Sequence, residues 1–150
     1  MIGIDAVLAP LEGGAWDMQI GPDGDVLTRD SFDTYILVAL FTDARASESE
    51  VARPERRRGW VGNEYTPGFE MGGKLWLWTE QRRLTRSTIN GIQSAAIDAL
   101  QSMVEEDLAV AVRNARAVVE DDGLSLEVDI LRPGSQVEKR HYDLWQNTGA

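Results

Sequence analysis

One apolar stripe constrains this chain more than any other feature. In residues 88–106, TINGIQSAAIDALQSMVEE, the apolar side chains fall at Ile89, Ile92, Ala96, Ala99, Leu100, Met103 and Val104. Steps of three and four put them on one side of a helix. Asn90, Gln93, Ser94, Asp98, Gln101, Ser102 and Glu105 take the other side. Thr85 or Ser87 can cap the first turn by accepting a bond from an unpaired backbone N–H. One apolar stripe needs one partner surface, and a β-sheet face is the candidate.

The sequence after this helix changes to period two. Leu108, Val110 and Val112 alternate with Ala109, Ala111 and Arg113, and Asp121-Asp122-Gly123 reads as a hairpin turn. Leu124, Leu126, Val128 and Ile130 alternate with Ser125, Glu127 and Asp129 as a half-buried strand. Pro133-Gly134 turns the chain again, and residues 138–146 (EKRHYDLWQ) form a third strand. Three strands joined by tight turns predict an antiparallel meander with one face on the helices. Near the start, residues 1–14 read as an irregular lead-in ending in Gly13-Gly14. Residues 15–20 (AWDMQI) read as a short strand with Trp16, Met18 and Ile20 on one face, and residues 21–25 as a turn. Residues 30–41 read as a second helix, capped by Asp30 or Ser31, with Phe32, Tyr35, Ile36, Ala39 and Leu40 inward. The predicted fold is α+β: an antiparallel β meander packed against a long amphipathic helix and a second, shorter helix. With 150 residues and 43% hydrophobic content, the chain is read as a single domain over 1–150.

The stretch between the two helices is the least regular part of the chain. Residues 44–73 are read as one long loop, and an irregular segment of that length in a compact domain is functional or disordered. Arg53, Arg56, Arg57 and Arg58 make it a basic patch in an acidic protein. The plainer reading is a solvated loop whose arginines pair with Glu48, Glu50 and Glu55. The other is a docking segment, because Arg and Trp often carry interface energy. Trp60, following Gly59, could equally plug the domain's own core. Residues 74–78 (KLWLW) have no polar face, so Leu75, Trp76, Leu77 and Trp78 form either a buried strand or a surface covered by another subunit.

Composition closes several functional classes. Asp and Glu number 25 against 15 Lys and Arg, a net charge of −10 that would repel a phosphate backbone. There is no cysteine for a disulfide or thiolate site, and a single histidine argues against a His-based zinc site. Asp23 and Asp25 beside Gly24 suggest calcium only weakly, since the later ligands of a dedicated loop are missing. No stretch approaches the roughly 20 apolar residues of a membrane helix, and the first residues do not read as a secretory signal. The expectation is a soluble cytoplasmic chain without cofactor, metal, nucleic-acid, membrane or small-molecule partner. No catalytic residue stands out either. His141 has no serine elbow to meet. Gly13-Gly14 and Gly72-Gly73 lack phosphate-cradle spacing. Glu105-Glu106-Asp107 and Asp121-Asp122 read as solvated charge rather than a glycosidase pair across a cleft.

Three motifs in order carry a resemblance. Leu40-Phe41-Thr42-Asp43-Ala44-Arg45-Ala46 is followed by Arg57-Arg58-Gly59-Trp60-Val61-Gly62-Asn63 and then by Gly72-Gly73-Lys74-Leu75-Trp76-Leu77-Trp78. Gln81-Arg82-Arg83-Leu84-Thr85, an alanine-rich helix with Ala99-Leu100, and a closing Tyr142-Asp143-Leu144-Trp145 complete the order. The chain resembles the Mu-like phage baseplate wedge family, itself related to the small wedge protein of T-even phages. It departs at Val61 (Trp in the family), Asn63 (Asp), Gly73 (Ser) and Lys74 (Arg). The Asn63 change removes a charge that could have paired with the preceding arginines.

The resemblance implies an α+β structural part of a contractile tail, in a phage or a prophage-derived particle. Its partners would be larger wedge proteins and the tail sheath, which it would help to nucleate. It would be located in the virion baseplate and assembled in the host cytoplasm. Contacts would run through Arg56, Arg57, Arg58, Gly59, Trp60, Leu75, Trp76, Trp78, Tyr142, Leu144 and Trp145, with strand addition at the free edge of the third strand. Relatives also carry a lysozyme label, so a cell-wall glycosidase is the first alternative. A small regulator-binding protein reusing the fold is the second.

Overall fold

A computed structural model describes residues 4–11, 16–30, 32–68, 70–134 and 136–146. They fall into two compact units, 1–38 and 39–150, whose boundary lies inside the first helix. In the smaller unit, β1 (Ile4–Ala6) pairs antiparallel with β4 (Thr28–Asp30), and β2 (Leu8–Pro10) with β3 (Trp16–Met18). The expected irregular lead-in is therefore β structure over 4–10, in strands too short to show a period; Gly13 and Gly14 lie outside the described residues. The two pairs meet at Val7, whose N–H donates to Leu27 O at 2.8 Å and whose carbonyl accepts from Gln19 N at 2.9 Å. From there residues 19–27 fold out as a small hairpin with Ile20 opposite Val26. Its tip is the expected turn, closed by Gly21 N donating to Asp25 O at 2.8 Å, with Gly24 at φ +86°.

Helix α1 (Asp33–Phe41) starts later than its sequence pattern suggests. Asp30 is the last residue of β4, ahead of the first helical residue Asp33, and Ser31 lies outside the described residues. The first turn is held from elsewhere: Asp5 Oδ2 accepts from Thr34 N at 2.8 Å, and Arg29 pairs with Asp33. A carboxylate at this end satisfies an orphan N–H and complements the helix dipole. Ile36, Ala39 and Leu40 are buried as expected, with Phe32 and Tyr35 half-buried.

In the larger unit, α2 (Trp76–Thr79) precedes α3 (Arg86–Glu105), which is followed by β5 (Ala111–Glu120), β6 (Gly123–Arg132) and β7 (Gln136–Gln146). The sheet is antiparallel in the order β5-β6-β7, and α3 packs against β5. The α+β expectation holds. Thr85 is the cap, its Oγ1 accepting from Thr88 N at 3.2 Å. Ile92, Ala96, Ala99, Leu100 and Met103 are buried along the predicted stripe. The helix ends in a Schellman turn: Leu108 N donates to Met103 O at 2.9 Å and Asp107 N to Val104 O at 3.2 Å, with Asp107 at φ +58°.

That turn changes the phase of the first strand. The expected strand from Leu108 begins instead at Ala111; Ala109 is buried and Val110 is 55% exposed. No glycine marks the turn, because Asp107 takes the left-handed position usually filled by glycine. The apolar face of β6 is as expected, with Leu124, Leu126, Val128 and Ile130 all buried, but Ser125 of the alternate face is buried too, its Oγ donating to Glu120 Oε1 at 2.9 Å. In β7 a bulge shifts the register between Leu124 and Ser125, so Tyr142 faces Leu126 and Trp145 faces Leu124. Both aromatic residues are buried although their spacing breaks period two.

Of the two readings of residues 74–78, the buried strand does not form: the chain turns at Leu75 into α2, with Leu75 and Trp76 buried and Leu77 and Trp78 half-buried. Just before it the chain passes close to α3. A Cβ on Gly73 would lie 2.6 Å from the Ala99 Cβ and 2.9 Å from the Ala39 carbonyl oxygen. A Cβ on Gly91 would overlap the Trp78 ring, and Gly72 at φ +103° lies against Thr42 O. Gly73→Ala should therefore lower stability by about 1–3 kcal/mol through overpacking. Urea unfolding followed by circular dichroism measures this, and an unchanged midpoint would show that the approach is slack.

Candidate interaction surface

The long loop is closed at its neck by backbone bonds: Gly73 N donates to Thr42 O at 2.9 Å and Ala44 N to Gly73 O at 3.0 Å. Polar clasps then order it from inside. Ala46 N donates to Arg57 O at 2.9 Å, and Arg57 Nε donates back to Ala46 O at 2.6 Å. Trp76 Nε1 donates to Ala44 O at 3.0 Å. Asn63 grips Met71 twice, with Nδ2 donating to the carbonyl at 3.0 Å and Oδ1 accepting from the N–H at 2.9 Å. An aspartate could not make the first of these bonds, so Asn63 holds the loop itself rather than lacking an arginine partner.

The arginines have separate surroundings. Arg57 reaches Glu48 at 3.7 Å, one of the expected partners. Arg58 bonds Asp43 Oδ2 at 2.8 Å, pairs with Glu80, and lies 4.7 Å over the Trp76 ring. These three contacts hold Arg58 at φ +50°, a left-handed conformation that L residues adopt only when their surroundings demand it. Glu50 pairs with Lys74 at 2.8 Å rather than with an arginine. Arg56 is exposed at the end of a 3-10 turn (Pro54–Arg56). Gly59, at φ +112°, passes close to the Arg45 side chain. Trp60 is 44% exposed, with its ring lying against Gly62.

The remaining candidate residues divide by burial. Leu75, Trp76, Tyr142 and Trp145 are buried, Trp78 and Leu144 are half-buried, and Trp78 rests on Gly91. Tyr142 stacks edge-on against Phe41 at 5.5 Å, and burial pushes its hydroxyl up to about 12. Sequence reasoning missed Asp43, Glu80 and the two close-approach glycines that set Arg58, Trp78 and the loop neck. Their partners lie far away in the chain, so no local pattern marks them.

The sheet edges are unequal. Along β5, Ala117 N donates outward to Gln93 Oε1 of α3 at 3.1 Å, so the helix covers part of that edge. Strand β7 is the opposite edge strand, paired on one side to β6. On it His141 is exposed, with Nε2 3.3 Å from Asp143 Oδ1 and 4.0 Å from Glu120 Oε1. No group of three or more potential metal ligands occurs among the described residues. The carboxylates of Glu50 and Glu127 are held down, the first chiefly by Lys74 and the second by Arg116. A general acid needs the opposite shift. No helix of the described residues is long and apolar enough to cross a membrane.

Fold and surface together define a small α+β protein whose distinctive features are an ordered Arg/Trp loop and a β7 edge that pairs with no second strand among the described residues. The chain belongs to the phage protein GP46 family, whose model matches residues 32–137. It is 30% identical over 129 residues to the Mu-like prophage FluMu protein gp46 of Haemophilus influenzae, covering 86% of this chain and 88% of that protein. It is also 36% identical over 85 residues to the baseplate protein gp46 of Escherichia phage Mu, covering 55% of this chain and 57% of that protein. The resemblance to a Mu-like phage family is thereby borne out.

Two consequences can be measured. Removing the guanidinium in Arg58→Ala should speed chymotryptic cleavage after Trp60 several-fold, with Arg58→Lys intermediate; equal rates would show that Asp43, Glu80 and Trp76 do not latch the loop. Glu50 sits at about 2 against an ordinary 4.5, so its pairing contributes stability above about pH 4.5 that is lost as pH falls towards 2. The Ser47 amide, which donates to Glu50 Oε2 at 2.8 Å, should titrate with that low midpoint by NMR. A midpoint near the ordinary value would remove the Lys74 pair from the account.

Proposed function

We propose that this protein is a non-enzymatic structural component of a phage or prophage-derived tail baseplate. The observation that carries this reading is the relationship to the phage Mu baseplate protein. In finer terms, it occupies the wedge of a contractile tail, contacts larger wedge proteins and helps to start the sheath. It works as one assembly unit in the virion tail after assembly in the host cytoplasm.

Its contact surfaces are the Arg56–Trp60 part of the loop and the edge of β7. Arg56 and Trp60 are exposed and of the residue types that dominate interface energies. Arg57, Arg58 and Gly59 set the shape of that surface and Leu75, Trp76 and Trp78 pack behind the loop, while Tyr142, Leu144 and Trp145 fix the strand whose edge accepts a partner strand. The downward shifts at Glu50 and Glu127 weigh against a glycosidase using either residue as its acid.

Co-expression with the tail genes of its own genome, followed by size-exclusion chromatography, tests the reading. The wild-type chain should co-elute with a larger tail protein, and an Arg56→Glu/Trp60→Ser variant with unchanged circular dichroism should not. A wild-type chain that stays alone and clears a peptidoglycan suspension would overturn the structural reading.

A further inference from the structure

The loop and β7 leave the N-terminal unit unused, although it shows an apolar surface of its own. By register, Trp16 and Met18 of β3 stand opposite Pro10 and Leu8 of β2, on one face of the ribbon. Beyond Gln19, Ile20 and Val26 stand side by side on the outfolded hairpin. Trp16 is 47% exposed, Met18 54% and Ile20 61%. Trp16 and Met18 on β3, with Ile20 and Val26 (39% exposed) on the hairpin, are large apolar side chains left open to solvent within this one short unit, and exposed apolar surface of this kind marks an interaction site. The unit's polar side is already engaged, with Asp5 and Arg29 holding the first turn of α1.

Charge identifies the occupant. Residues 1–38 hold seven acidic residues and one basic one, Arg29, a net −6 of the chain's −10. Arg29 is paired with Asp33, while Asp23 and Asp25 stand at the hairpin tip beside the Ile20–Val26 pair. A second copy would bring the same negative field against this one and be repelled. A basic segment would be steered towards it and could bury the apolar ridge.

We propose that the N-terminal β unit, through Trp16, Met18, Ile20 and Val26, docks a basic segment with one apolar face contributed by a different protein. The proposal uses none of the residues of the loop or of β7, and it rests on the baseplate reading only for the choice of co-expressed proteins.

Photo-crosslinking with benzoylphenylalanine in place of Ile20, in the full chain co-expressed with its tail genes, tests this. A parallel replacement of Val137 on β7 reports the baseplate contact. The expected result is a heterologous product from position 20 whose crosslinked peptide, read by mass spectrometry, carries net positive charge and apolar residues. That product should be lost in an Asp23→Lys/Asp25→Lys background and weakened by salt, while the Val137 product persists. A homodimer, an intramolecular product, or an acidic crosslinked peptide from position 20 would overturn the docking proposal. So would silence at position 20 with a product at 137, which leaves the baseplate reading standing. Silence at both positions would overturn both.

Discussion

The larger unit depends on how closely its backbone passes at Gly73. With no side chain there, the chain threads between Ala99 of α3 and the Ala39 carbonyl, and residues 72–73 close the neck of the long loop on Thr42 and Ala44. Gly91, about two turns earlier in α3, does the same, with the Trp78 ring lying on its bare backbone. These approaches let a short helical turn bury Leu75 and Trp76 directly behind the loop. The loop therefore departs from a rigid base. Its order comes from polar clasps at Ala46, Arg57, Asn63 and Met71 rather than from an apolar core of its own.

This construction suits a surface that must be presented without being rebuilt on contact. Arg58 is spent inside the chain, on Asp43, Glu80 and Trp76, and its left-handed backbone directs Gly59 and Trp60 outward. A docking surface that is ordered beforehand loses less conformational entropy on binding. The sheet shows a parallel division of labour. Gln93 covers part of the β5 edge from α3, while β7 presents its second edge.

Charge is distributed as unevenly as order. The first 38 residues carry more than half of the net negative charge, and the basic residues gather in the larger unit, several of them in the loop. A chain that is acidic on average can thus present surfaces of different character, each suited to a different neighbour. Average composition argues against a phosphate backbone as partner, but it does not describe any one surface.

The sequence by itself determined the elements whose burial repeats locally. The α3 stripe, its Thr85 cap, the β6 alternation and the two hairpin turns are all legible, because helix and strand periods follow from backbone geometry alone. The family was legible too, in three motifs whose order survives. Other features came only with the tertiary structure. Asp107 takes a position that usually marks itself with glycine, and the β7 bulge swaps Trp145 onto the core face. Residues 74–78 have no polar face in any conformation, so their pattern could not separate strand from helix. The partners of Arg58, Trp78 and Asn63 were likewise decided by folding. Each is set by a backbone approach or a hydrogen bond between segments distant in sequence, and no local period records it.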